Sequence, residues 1–138
     1  METGKIINKI SNRLRRRSRA VQDSVGISGA QGRILMYILV DGSKRDIYQK
    51  DVEEEFGLRP STATETLKSL EKRELIQRVA DEKDGRWKKI VFTPKAEEIQ
   101  TLLKKEIEES ENLLLQGISK EEQKMFLQIA EKMLENLD

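Results

Sequence analysis

At 138 residues the chain is long enough for one domain, and a chain of that size buries roughly two-thirds of the surface its unfolded form exposes. Charged residues (37%) outnumber apolar ones (36%), so long helices with one solvated side are expected. There is no cysteine and no histidine, which excludes disulfides and thiolate metal sites and removes the commonest general base and the commonest metal ligand. The composition therefore predicts neither an enzyme nor a cofactor or metal site.

The longest uninterrupted apolar run, Ile34 to Val40, falls far short of the roughly 18 residues of a membrane span, and no signal-like apolar segment opens the chain. A cytoplasmic protein without membrane attachment is expected. The net charge of +1 conceals a gradient. Residues 1–42 carry eight Lys/Arg against three Asp/Glu, residues 43–93 twelve against eleven, and residues 94–138 six against eleven. Such asymmetry suggests a nucleic-acid-facing side away from an acidic tail.

In chain order, Ile7, Ile10, Leu14, Val21 and Val25 recur at three-, four- and seven-residue spacings, predicting a first helix over about Thr3 to Ser24. Arg13, Arg15, Arg16, Arg17 and Arg19 lie mostly off that stripe. Ser28-Gly29-Ala30-Gln31 reads as a capping box opening a second helix, expected to bury Ala30, Ile34, Leu35, Ile38 and Leu39 before Asp41-Gly42-Ser43 ends it. A short helix from about Gln49 to Phe56 stops at Gly57, the residue type that takes left-handed backbone.

After the Gly57-Leu58-Arg59 turn, Pro60 opens a helix to about Arg73, with Ala63, Leu67 and Leu70 marking its apolar side. Two β-prone runs follow, Ile76 to Ala80 and Trp87 to Phe92, around Asp84-Gly85, a favoured hairpin-turn pair. Thr93 is expected to cap a helix from Pro94 to about Gln116 that carries Ile99, Leu103, Ile107 and Leu114. A last capping box, Ser119-Lys120-Glu121-Glu122, starts a helix with Phe126, Ile129, Met133 and Leu137.

The expected fold is mainly α (α+β), a winged helix-turn-helix with long N- and C-terminal dimerisation helices. It forms a single domain over 1–138, with 28–93 as the winged part and 1–27 and 94–138 as the dimerisation helices. The first and last two helices carry more apolar stripe than a small core can cover, which predicts an isologous homodimer with interlocked terminal helices.

The run Ser28-Gly29-Ala30-Gln31-Gly32-Arg33-Ile34-Leu35, then Gln49-Lys50-Asp51-Val52, then Ser61-Thr62-Ala63-Thr64 resembles the MarR family in wording and order. Leu70-Glu71-Lys72-Arg73, Leu75-Ile76 and Arg78 continue the likeness, and Asp84-x-Arg86 before Ile90-x-Phe92-Thr93 resembles the family's wing signature. The resemblance implies a two-fold dimer on an inverted-repeat, double-stranded DNA operator, commonly a repressor relieved by a small phenolic or other anionic effector. Three positions depart from the family pattern. Tyr48 stands where a small hydroxyl residue usually caps the third helix, Glu74 replaces a usual glycine after the recognition helix, and Gly85 sits where arginine is frequent.

A recognition helix keeps its apolar side on the core while short polar side chains near its N-terminus approach base edges in the major groove. Pro60 starts that helix, and Ser61, Thr62 and Thr64 supply the short polar surface. Glu65 suits DNA only by accepting from a cytosine amino group. Lys68 and Arg73 are expected toward the DNA backbone. On the wing, Arg86 is the expected minor-groove residue, with Asp84 holding its planar fork, and Lys83, Lys88 and Lys89 contact phosphates or form solvated strand faces.

The N-terminal arginine cluster allows phosphate contact, an anionic effector, pairing with a partner chain's acidic tail, or a solvated face. Trp87 reads as packing ahead of ligand stacking or DNA-backbone contact, and Met36 and Tyr37 as core or dimer packing ahead of a ligand pocket. The alternative function is a winged-helix protein–protein interaction module, because the fold alone does not fix the activity.

Overall fold

A computed structural model of the chain describes residues 2–27 and 29–138. Its elements are α1 (Thr3–Ser24), α2 (Gly29–Asp41), α3 (Gln49–Phe56), α4 (Pro60–Lys72), β1 (Ile76–Ala80), β2 (Lys88–Phe92), a 3-10 turn (Pro94–Ala96), α5 (Glu97–Leu114) and α6 (Lys120–Leu137). This is the expected winged helix-turn-helix, with long helices before and after it. Two compact units are present, Met1–Glu106 and Ile107–Asp138.

In the first unit the core gathers Ile34, Leu35 and Ile38 of α2, Val52 of α3, Leu67 and Leu70 of α4, Ile76 and Ile90 of the strands, and Ala96 and Leu103 beyond them. The apolar spacing of α4 is what seats it: Ala63, Leu67 and Leu70 are all fully buried. The α1–α2 approach is close at Gly32, where a Cβ would lie 2.3 to 2.6 Å from the buried Gln22 carboxamide. Ala30, expected in the core, is exposed instead, because it lies on the outer side of the first turn of α2. The capping box expected at Ser28 lies outside the described residues. The Gln31 Nε2 donates to Ser69 Oγ at 3.0 Å, and its Oε1 accepts from Arg73 Nη1 at 3.2 Å.

Helix α3 ends as its sequence dictates. Gly57 takes φ 62°, and Leu58 N–H returns to the Glu53 carbonyl at 2.9 Å. Helix α4 ends the same way, with Leu75 N–H bonded to the Leu70 carbonyl at 3.1 Å and Glu74 N–H to that of Glu71 at 2.8 Å. The left-handed residue here is Glu74, at φ 61°, where the likeness to the family predicts glycine. Its carboxylate pairs with Lys95.

β1 and β2 pair antiparallel with Ile76 opposite Phe92 and Ala80 opposite Lys88. The hairpin is anchored by Ile90 N–H to the Ile47 carbonyl at 2.7 Å and by Thr93 N–H to that of Leu75 at 3.1 Å. The Asp84-Gly85 pair falls within the hairpin connection, where the sequence places it. The connection runs over residues 81–87, closed by Asp81 N–H to the Trp87 carbonyl (2.8 Å) and Trp87 N–H to that of Asp84 (3.0 Å), and Gly85 keeps negative φ. A second correction concerns Thr93: its hydroxyl donates to the Glu74 carbonyl rather than capping the following helix, which enters through the 3-10 turn.

In α1, the expected stripe residues Ile7 and Ile10 are exposed, whereas Leu14 and Val21 are half-buried. In the second unit, the capping box of α6 forms as predicted. Ser119 Oγ accepts from Glu122 N–H at 3.1 Å, and Glu122 Oε1 accepts from Ser119 N–H at 3.0 Å, which holds the Glu122 carboxyl below its usual range. The apolar side of α6 is open, with Phe126 at 61% and Leu137 at 85% exposure. Among the described residues no helix is long and apolar enough to cross a membrane.

Candidate nucleic-acid interface

Helical periodicity sorts the residues of α4. With Ala63, Leu67 and Leu70 turned to the core, Ser61, Glu65 and Lys68 fall on the opposite side at i, i+4 and i+7, and all three are exposed. Lys72 extends the same row at i+11 and is also exposed, an addition to the residues expected from sequence. Pro60 and Thr62 are exposed beside the row. This helix thus presents a short, polar, mostly uncharged N-terminal surface that becomes cationic toward its C-terminus.

Thr64 and Arg73 have partners within the fold. The Thr64 hydroxyl donates to the Pro60 carbonyl at 2.8 Å and accepts from Gln49 Nε2 at 2.9 Å, and the residue is half-buried against α3. Arg73, although exposed, reaches back to Gln31 Oε1 and, at 3.5 Å, to the Val25 carbonyl. Both side chains tie the helix to its neighbours.

A residue that sequence reasoning missed, Gln49, organises this region from the first turn of α3. Its Nε2 donates to Thr64 Oγ1 and to Glu53 Oε2 (3.1 Å), with Pro60 O at 3.4 Å, while its Oε1 accepts from Arg78 Nη1 at 3.1 Å. Arg78, on β1, also donates from Nε to Glu71 Oε1 at 2.9 Å. Helix α3, the recognition helix and the wing strand are therefore cross-braced by polar side chains. Only the position of Gln49 at the helix start, facing α4 across the turn, could have signalled it.

On the wing, Arg86 stands out into solvent, its side chain 88% exposed, and is gripped by Asp84 in the expected two-point manner. Nε lies 3.1 Å from Oδ1 and Nη2 lies 2.9 Å from Oδ2. The Arg86 backbone N–H also donates to Asp84 Oδ1 at 3.1 Å. These bonds hold the Asp84 carboxyl below its usual range and raise the Arg86 guanidinium above its own. The fork is oriented while its outer edge stays open. Lys83 and Lys88 flank it, both exposed, whereas Lys89 is half-buried.

Trp87 lies edge-on to Tyr48, with ring centroids 5.9 Å apart at 75°, so it packs at the foot of the loop while remaining 49% exposed. Tyr37 is buried; its hydroxyl accepts from Arg45 Nη2 at 2.7 Å and its ring meets Phe56 edge-on.

Residues 25–86 match the profile described as the MarR family. An HTH-type transcriptional regulator of Bacillus subtilis (strain 168), YybA, itself uncharacterised, is 28% identical over 92 residues, 67% of this chain and 61% of that relative. The match thus covers less than two thirds of the relative's own length. The solved transcription regulator MarR from Oenococcus oeni PSU-1 is 27% identical, covers 97% of this chain and 99% of its own, and superposes with a TM-score of 0.82. The S. aureus MepR–DNA complex shares the fold at a TM-score of 0.81, with 23% identity over 99% of this chain and 97% of that one. Its central stretch, residues 25–86, thus matches the MarR family, and the chain has the fold of that family's winged helix-turn-helix transcription regulators.

Proposed function

We propose that two copies of this chain form a sequence-specific DNA-binding repressor that reads a two-fold symmetric operator and is released by a small anionic or aromatic molecule. The observation that carries DNA binding is the exposed row Ser61, Glu65, Lys68 and Lys72 on α4 beside a wing whose Arg86 is held by Asp84 and otherwise bathed in solvent. In this reading Pro60, Ser61, Thr62 and Glu65 meet the major groove, Arg86 enters the minor groove, and Lys68, Lys83 and Lys88 lie along phosphates. Thr64 and Arg73 set the angle of the helix.

Homodimerisation is supported by the apolar sides of α1 and α6, where Ile7, Ile10, Phe126, Ile129 and Leu137 are exposed, an arrangement that favours a second copy as cover. Residues 28–93 are then the DNA-binding part, and 1–27 and 94–138 the dimerising segments. Repression and its relief by a ligand are supported by the family likeness.

Fluorescence anisotropy of a labelled random-sequence duplex, titrated with protein at two salt concentrations, tests the reading. Binding should weaken steeply with salt through counterion release. On a selected site, Arg86→Ala should cost about tenfold or more, from loss of the minor-groove contact in both protomers, without loss of the fold. No binding at low salt would favour the interaction module instead.

A further inference from the structure

The wing is a two-stranded hairpin, a structure that is marginal without outside support, yet its loop carries the residue expected to enter the minor groove. Tyr48 supplies support near the tip. Tyr48, the residue before the first turn of α3, donates its hydroxyl to Asp81 Oδ2 at 2.6 Å, a short bond of the charge-assisted kind. The same ring packs edge-on against Trp87. Asp81 is the residue on which β1 leaves for the loop, and Trp87 the one on which the loop returns to β2. Tyr48 therefore grips both stems of the 81–87 loop.

Each partner is fixed in turn. Asp81 Oδ1 accepts from Lys83 N–H at 2.9 Å, stiffening the start of the loop. Tyr48 N–H donates to Asp51 Oδ2 at 2.8 Å, which seats it on α3. The neighbouring Gln49 bonds Thr64 at the start of the recognition helix. Two consecutive residues thus join the foot of the wing loop to the N-terminal half of α4. The hydroxyl bond also pushes the Tyr48 phenol up to about 12 and lowers Asp81, as expected where each partner favours the other's protonation state.

We propose that Tyr48 and Asp81 form a latch that sets the wing at a fixed offset from the recognition helix, so that Arg86 is presented to the minor groove while α4 lies in the major groove. Tyr48 is a positioning residue, acting through Arg86. The proposal rests on the DNA-binding reading. A small capping residue at this position could seat α3 but could not span to the loop, so the tyrosine adds a function that helix capping does not need. Holding Arg86 in place before binding reduces the ordering cost at the interface.

The test uses the full chain with Tyr48→Phe and, as a second variant, Asp81→Asn, each in the wild-type and the Arg86→Ala background. Affinity is measured on a duplex selected by the wild-type protein. Trp87 is the sole tryptophan, so acrylamide quenching of the free protein reports the latch directly. Tyr48→Phe should raise quenching of Trp87 and weaken DNA binding about three- to tenfold in the wild-type background, the range a lost hydrogen bond to a charged group gives when partly solvated. In the Arg86→Ala background the same substitution should cost less than about twofold, a coupling that a purely structural role would not produce. Equal losses in both backgrounds, or looser Trp87 with unchanged affinity, would overturn the latch while leaving DNA binding intact. If the wild-type protein selects no duplex, the DNA-binding reading itself falls and takes this role with it.

Discussion

Replacing Gln49 with alanine removes the brace between α3, the recognition helix and the wing strand. Three hydrogen bonds of 2.9 to 3.1 Å disappear, to Thr64, Glu53 and Arg78. The Thr64 hydroxyl keeps the Pro60 carbonyl and Arg78 keeps Glu71, so neither partner is stranded. A neutral bond of this kind contributes about 0.5–1.5 kcal/mol net, and bonds to charged groups more, though partial exposure pulls them back toward the same range. The loss should be roughly 2–3 kcal/mol, a substantial part of the 5–15 kcal/mol that holds a domain folded. Equilibrium urea unfolding at fixed protein concentration should show the midpoint falling by roughly 1 M, given a slope of about 1–3 kcal/mol per M. Lys50→Ala, at the exposed next position, is the control and should stay within about 0.5 kcal/mol. A Gln49→Ala loss no larger than that of the control would refute the reasoning, because it would mean that water replaces the brace at no cost.

Two further outcomes follow from local geometry. The backbone at position 74 is left-handed, which an L-residue adopts at a cost of about 1–2 kcal/mol, while glycine gives back part of that through its freer unfolded chain. Thermal melts should rank Glu74→Gly at or above the parent and the β-branched Glu74→Ile clearly below it; an isoleucine variant as stable as the parent would count against the assignment. The chain has two tyrosines, Tyr48 raised to about 12 chiefly by its bond to Asp81, and Tyr37 raised chiefly by burial. Because folding raises both, the stability they contribute is present in full below pH 10.0, the unfolded value, and for Tyr48 is lost as pH climbs through about 12. Phenolate absorbance of the folded protein should therefore be well under half-developed at pH 10.0 and reach half in urea, and half-ionisation at pH 10.0 in the folded state would contradict the geometry.

Much of the fold was legible because its signals are local. The spacing of Ala63, Leu67 and Leu70, proline at the start of α4, and Gly57 after α3 each act within a turn or two of chain. The Asp84–Arg86 grip was legible for the same reason, being a contact between residues two apart. What escaped depends on distant partners. The bond from Gln49 to the Thr64 hydroxyl joins residues fifteen apart. Thr93 sits where a cap belongs, but the Glu74 carbonyl is nearer to hand. Tyr48 itself stood out only as a departure from the family's pattern, and its purpose appears when the wing is folded beside it.

The central claim is that two copies of this chain read DNA through α4 and the wing. Fragments selected by the protein from random-sequence duplex DNA, followed by measurement of the protein-to-duplex ratio on the enriched site, test it most directly. The account predicts an inverted repeat whose half-sites lie about one helical turn apart, bound by two protomers. Enrichment of no sequence, or of a site without two-fold symmetry bound by one protomer, would contradict it.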